Sequence, residues 1–104
     1  MIAVTARVEV EPADADAFVA ASAKLIEPTR AERGCTLYAM ARDIVADNVV
    51  WISEEWDCDA DLDAHLRSAH IKAFYVDIAP LRIRVLETRK YEVSSVGPVV
   101  MPAD

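Results

Sequence analysis

From Ile2 to Val10 the side chains alternate, with Ile2, Val4, Ala6, Val8 and Val10 on one side and Thr5, Arg7 and Glu9 on the other. That period of two predicts a half-buried β-strand. The period then lengthens: Ala15, Phe18, Val19, Ser22, Leu25, Ile26 and Thr29 recur at three-and-four spacing in an alanine-rich stretch, after Pro12 and Asp14. Helix-start chemistry followed by such a stripe predicts a helix that buries it. Pro28 lacks a backbone donor and is expected to kink this helix or mark its last turns, and Gly34 closes the segment.

Extended pattern returns from Cys35 to Val45, and Ala46-Asp47-Asn48 separates it from a second run, Val49 to Trp56. Two extended runs joined by turn residues predict a hairpin. In its second strand Val50, Ile52, Glu54 and Trp56 share one face and Val49, Trp51, Ser53 and Glu55 the other, so both faces carry apolar side chains that call for cover. Asp57 or Asp59 is placed to cap a second helix presenting Leu62, His65, Leu66 and Ala69. A further helical stretch presents Ile71, Phe74, Tyr75 and Ile78 and ends at Pro80. The last strand is expected from about Arg82 to Val93, with Ile83, Val85, Tyr91 and Val93 in one phase and Leu86 in the other.

Strand, helix, strand, strand, helix, strand is the split βαβ order, so the expected class is α+β, ferredoxin-like, with a four-stranded antiparallel sheet. Helices then cover one sheet face. On so small a chain the other face is most readily covered by a second copy across a two-fold axis, so a homodimer of the dimeric α/β-barrel type is expected. Residues 1–93 form the single domain in this reading. The tail, 94–104, contains Val96, Val99, Val100 and Met101 and is expected to pack on the partner subunit.

Composition narrows the function. The chain has 104 residues, 54% of them hydrophobic and 28% charged, which suits one compact domain. A net charge of −7 opposes nucleic acid and anionic membrane as partners. Residues 43–63 hold eight acids and no base, whereas 67–90 hold six bases and two acids, a contrast that suits either an interface or two solvated faces. No apolar run is long enough to span a bilayer and the first residues lack signal-peptide character, so a cytoplasmic location is expected. Cys35 and Cys58 match no zinc or thioredoxin spacing and are expected as buried reduced thiols, with one disulfide as the alternative. Only two glycines occur, Gly34 and Gly97, which excludes a glycine-rich phosphate loop.

His65 and His70 are the only imidazoles, and imidazole is the side chain best suited to accept a proton near neutrality. On a continuous helix their five-residue spacing turns about 140°, so no metal pair is expected unless the helix breaks between them. Glu54 and Glu55 point to opposite strand faces and cannot act as a carboxylate pair; a buried Glu54 needs a hydrogen-bond partner. Tyr38, Met40, Phe74 and Tyr75 are candidates for an aromatic, polarisable pocket lining, with Arg42 or Glu54 supplying charge.

Gly34-Cys35 followed by Tyr38, Glu54-Glu55-Trp56-Asp57, Leu62-Asp63-Ala64-His65-Leu66 and His70-Ile71-Lys72-Ala73-Phe74 together resemble the antibiotic biosynthesis monooxygenase superfamily. The likeness is greatest to its bacterial quinol monooxygenase branch and spans about Ile2 to Val93. It implies a dimeric ferredoxin-like fold with a pocket between sheet and helices. It also implies oxygenation of a quinol or related aromatic by O2 with no flavin, haem or metal cofactor. The deprotonated substrate itself supplies electrons to oxygen, and the protein binds it, stabilises the anion and excludes water.

Trp56 matches the pocket tryptophan of anthrone-oxygenating relatives, whereas Ile52 and Leu62 stand where those relatives have asparagine and tyrosine. Anthrones are therefore not the expected substrates. Ala6, His65 and Tyr75 likewise depart from the asparagine, tryptophan and histidine of the haem-degrading branch. The resulting expectation is a cofactor-independent monooxygenase with His65 or His70 as base. Trp56, Tyr38, Phe74, Tyr75, Met40, Ile52, Glu54 and Arg42 are its substrate-binding candidates. The alternatives are isomerase-type proton transfer in the same pocket, or a non-catalytic protein that binds a small aromatic.

Overall fold

The computed structural model describes residues 1–103. Strand β1 (Ile2–Val10) leads through one 3-10 turn, Pro12–Asp14, into α1 (Ala15–Arg30), and β2 (Cys35–Arg42) and β3 (Val49–Trp56) follow as a hairpin. Two short helices, α2 (Asp59–Leu66) and α3 (Ala69–Ile78), precede β4 (Ile83–Glu92). The strands form one antiparallel sheet in the order β2-β3-β1-β4, the ferredoxin-like arrangement expected from the sequence.

Register decides which side chains meet. Ile2 lies opposite Trp56, Val4 opposite Glu54, Ala6 opposite Ile52 and Val8 opposite Val50, so these alternate positions form one face, under the helices. Tyr38 and Met40 join it opposite Glu54 and Ile52. The helices bury Phe18, Leu25, Leu62, Ile71 and Ile78 against that face. The outer face is mixed: Leu37, Trp51 and Tyr91 are partly exposed among charged side chains, and the Arg7 guanidinium lies 5.9 Å over the Trp51 ring.

Several expectations change in detail. The first hairpin strand ends at Arg42, because the Asp43 carboxylate accepts the N–H groups of Val45 and Ala46 and the Trp51 indole N–H. These bonds satisfy the loop locally and leave Ile44 and Val45 fully exposed. In β4 the single phase is broken: Val10 pairs with Ile83 but Glu9 with Val85, a bulge that puts Ile83 and Val85 on opposite faces. Asp57 and Asp59 are not the cap of α2; Cys58 takes that place, its thiol donating to the Asp61 carboxylate rather than capping the helix backbone, and is exposed, so the expected buried thiol holds only partly, for the half-buried Cys35. Both thiols are free. Pro28 sits inside the last turn of α1.

Two ties set the geometry of the upper end. Gly34 has φ +78, and a Cβ there would collide with the Asp61 carboxylate, so glycine alone fits the close approach of this loop to α2. Its carbonyl accepts the Asp57 N–H at 2.9 Å. Arg30 Nε donates to the Tyr38 carbonyl at 2.9 Å. The short loop between α1 and β2 is thereby pinned to both β2 and α2, and Glu32 is carried on it. Residues 94–103 have no regular structure, and Val96, Val99, Val100 and Met101 are exposed.

Candidate functional site

Between the inner sheet face and the three helices lies a cavity of about 350 Å³. Its floor is Val4, Ala6 and Val8 of β1 with Met40 and Ile52 beside them, and its roof includes Phe18, Leu62, Ile71 and Phe74. Tyr75, and Ile83, Leu86 and Thr88 of β4, complete the wall. Ile83 reaches it only because of the bulge in β4. The lining is mostly apolar; its polar side chains are Tyr38, Glu54 and His65, which meet at one end, and Thr88, Arg89 and Lys90 of β4.

Of the candidates read from the sequence, Tyr38, Met40, Ile52, Glu54, His65, Phe74 and Tyr75 line this cavity. Three do not. Trp56 is wholly buried behind the wall, its indole packed 4.8 Å from the His65 ring and its N–H donating to Glu54 Oε1 at 3.0 Å. His70 is outside the cavity lining, its ring centroid 6.0 Å from that of His65. Arg42 is engaged elsewhere, donating to Asp16 Oδ1 at 2.6 Å and to the Asp47 carbonyl.

The polar end is organised by a residue that the sequence did not single out. Glu32 Oε2 lies 2.6 Å from His65 Nδ1 and 2.9 Å from His70 Nε2. A carboxylate only accepts, so both of those ring nitrogens carry protons, an assignment made from the hydrogen-bond network. In neutral His65 the lone pair is then on Nε2, which faces Glu54 Oε1 at 3.9 Å. His65 is 1% exposed, and ring packing by Trp56 and Tyr38 holds it in place.

Local sequence explains how these groups converge. Ser68 interrupts the helical run after Arg67, accepts the Ile71 N–H on its hydroxyl and starts α3 anew. The break removes the premise that the histidines diverge by about 140° on one helix, and both turn toward Glu32. Burial pushes the Glu54 carboxyl above its usual range against the opposing pull of the Trp56 N–H and His65, so Glu54 holds a proton more readily than a surface acid. Burial also pushes the Tyr38 phenol well up and keeps it neutral. Glu32, His65 and His70 offer three donor atoms within 4.8 Å of one another, the one such group of His, Cys and acidic side chains found among the described residues. Glu32 could have been suspected only from its place two residues before a glycine that the fold needs.

Comparison with known proteins agrees with this architecture. The chain is 33% identical over 78 residues to a protein of Escherichia coli K12 named probable quinol monooxygenase YgiN, an alignment covering 62% of this chain and 74% of that one. An uncharacterised Synechocystis protein, sll1783, is 30% identical over 93 residues, 89% of this chain and 63% of its own length. The chain thus spans just under two thirds of that relative. Among solved structures, Rv0793 from Mycobacterium tuberculosis superposes with a TM-score of 0.84 at 25% identity, covering 93% of this chain and 98% of that one. The family pattern described as Antibiotic biosynthesis monooxygenase matches residues 1–76, the stretch that carries Glu32, the cavity floor and both histidines. By that match and the shared fold, the chain belongs to the antibiotic biosynthesis monooxygenase family.

Proposed function

We propose that this protein is a cofactor-independent monooxygenase that oxygenates a small quinol or related aromatic with O2. The observation that carries the reading is the 2.6 Å contact of Glu32 Oε2 with His65 Nδ1, which in a neutral ring leaves the lone pair on Nε2, in a mostly apolar cavity that His65 lines together with Glu54 and Tyr38. A flat aromatic fits against Phe74, Met40 and Ile52, with its hydroxyl directed at His65. His65 accepts the hydroxyl proton, and the resulting imidazolium is flanked by Glu32 and Glu54. The electron-rich anion then passes electrons to O2 in a space from which water is excluded. One oxygen atom stays on the ring and the other leaves as water, so a quinol and O2 become a hydroxyquinone and H2O. The relative YgiN, with its name of probable quinol monooxygenase, supports this choice of substrate class.

His65 is preferred over His70 as the base because the latter is outside the cavity lining and its Nε2 is already bonded to Glu32. The active form is proposed to be a homodimer, in which the mixed outer face and the apolar tail 94–104 meet a second copy. The test is oxygen uptake by metal-stripped protein with a panel of quinols and naphthols, corrected for autoxidation, with product oxygen traced from labelled O2. Uptake above the control with one labelled atom per product supports the reading. Binding without uptake overturns it. A second reading has one observation in its favour: His65 opposes Glu54, whose carboxyl is held toward its protonated form, so one group takes a proton while the other gives one. That pairing suits isomerisation, and turnover under anaerobic conditions identifies it.

A further inference from the structure

The cluster behind the cavity has a second chemical capacity. We propose that Glu32, His65 and His70 bind one divalent transition-metal ion, Zn2+ being the best match. The three ligands come from separate parts of the chain, the loop after α1, α2 and α3, yet their donor atoms lie within 4.8 Å of one another. Two imidazoles and a carboxylate are a borderline nitrogen and oxygen set, which favours Zn2+ and its neighbours over Ca2+ or Mg2+.

The required movement is small. Tetrahedral Zn2+ with bonds of about 2.1 Å places its ligands roughly 3.4 Å apart. Glu32 Oε2 is now 2.6 and 2.9 Å from the two nitrogens, so it must retreat by well under 1 Å from each, while the rings close on the ion. Glu32 is on a loop with a partly exposed side chain, and carboxylate rotation suffices. Both ring protons shift to the opposite nitrogens, in His65 from Nδ1 to Nε2.

Surroundings favour the ion independently of the ligands. Glu54 Oε1 waits 3.9 Å from His65 Nε2, where the displaced proton would be, and the Trp56 N–H orients it. A carboxylate behind a metal-bound imidazole is the usual supporting partner. Neither Glu32 nor Glu54 forms an ion pair with Lys or Arg among the described residues, so no side-chain cation competes with a metal ion for either carboxyl group. His70 and Glu32 retain 24% and 16% side-chain exposure, and neither lines the cavity, so the ion enters from outside and leaves the cavity free.

Ion binding does not depend on the reaction proposed above, but one consequence rests on it. With Nδ1 bound to metal, Nε2 carries the proton and His65 no longer accepts one from substrate, so Zn2+ would switch the base off.

The experiment is titration of chelator-treated full-length protein with Zn2+ by calorimetry and with Co2+ by visible absorption. Saturable uptake of one ion per chain and tetrahedral Co2+ bands are expected. Affinity should fall at least about tenfold in His70→Ala and in Glu32→Gln, as removal of supporting groups alone costs 10- to 100-fold. Circular dichroism confirms that the variants are folded, and His70→Gln, which keeps a polar side chain, replaces His70→Ala if that variant is not. No saturable binding, or binding unchanged in the folded variants, overturns the proposal. Because the readout is binding, this result stands apart from whether any quinol is oxygenated.

Discussion

The inner face of the sheet has two ends that differ in kind. At one, Val8, Val10, Ala15, Phe18, Ala21, Val50 and Ile78 form an apolar core with no buried charge among them. At the other, Ile2, Leu25, Tyr38, Trp56, Leu62 and Ile71 surround His65, with Glu32 and Glu54 against it. Met40 and Phe74 pack on both clusters and join them. One end is held by close packing, where any apolar set of the right volume serves. The other needs particular atoms, because a buried imidazole between carboxylates is tolerable only when its hydrogen bonds are made.

The difference can be broken from either side. His65→Gln removes the proton acceptor and keeps a polar side chain; quinol oxygenation should fall about 100- to 10,000-fold, read as oxygen uptake on folded protein. Phe18→Ala, at the packed end, should cost about 3–5 kcal/mol in urea unfolding. Trp56→Phe sharpens the contrast. It keeps a ring against His65 but deletes the N–H that Glu54 accepts, and should cost about 1–3 kcal/mol with a larger loss of activity than Phe18→Ala causes per folded molecule.

The smallest effect belongs to the surface. Asp14, at the start of α1, accepts the backbone N–H and side-chain Nε of Arg82, and these bonds hold its carboxyl below the ordinary 3.8. A carboxyl with a lowered folded value adds stability above its unfolded value and loses it as pH falls through the folded one. Thermal midpoints of wild type and Asp14→Asn should therefore differ slightly near neutrality and converge as pH falls below 3.8 and through the lowered folded value. Asp14→Asn should leave oxygen uptake at neutral pH unchanged.

Much of the packed end was legible in advance, because Val8, Val10, Phe18 and Val50 announce themselves by period. At the other end His65, Glu54, Tyr38 and Trp56 were found by residue type and family likeness, but their arrangement was not. Glu32 looks like any solvated acid near a helix end; only the Gly34 turn against Asp61 brings it to the histidines. The spacing argument left a converging histidine pair open only if the helix broke between them, and Ser68 starts a new helix there. Ile83 was assigned to the wrong face of β4 because one extra residue in a ladder reverses the alternation beyond it. Arg42 seemed a source of charge for the pocket, and Asp16, distant in sequence, holds it elsewhere.

By itself the sequence determined the order of the elements, the stripes that face the core, the ferredoxin-like class and the family. Those follow from periodicities and motifs within single segments, and neighbouring residues dictate them. The tertiary structure alone decided which nitrogen of His65 meets Glu32, that Glu32 rather than Arg42 supplies the charge beside it, and that His70 is outside the cavity lining. Those outcomes depend on contacts of a few ångströms between residues more than thirty positions apart, which local pattern does not encode.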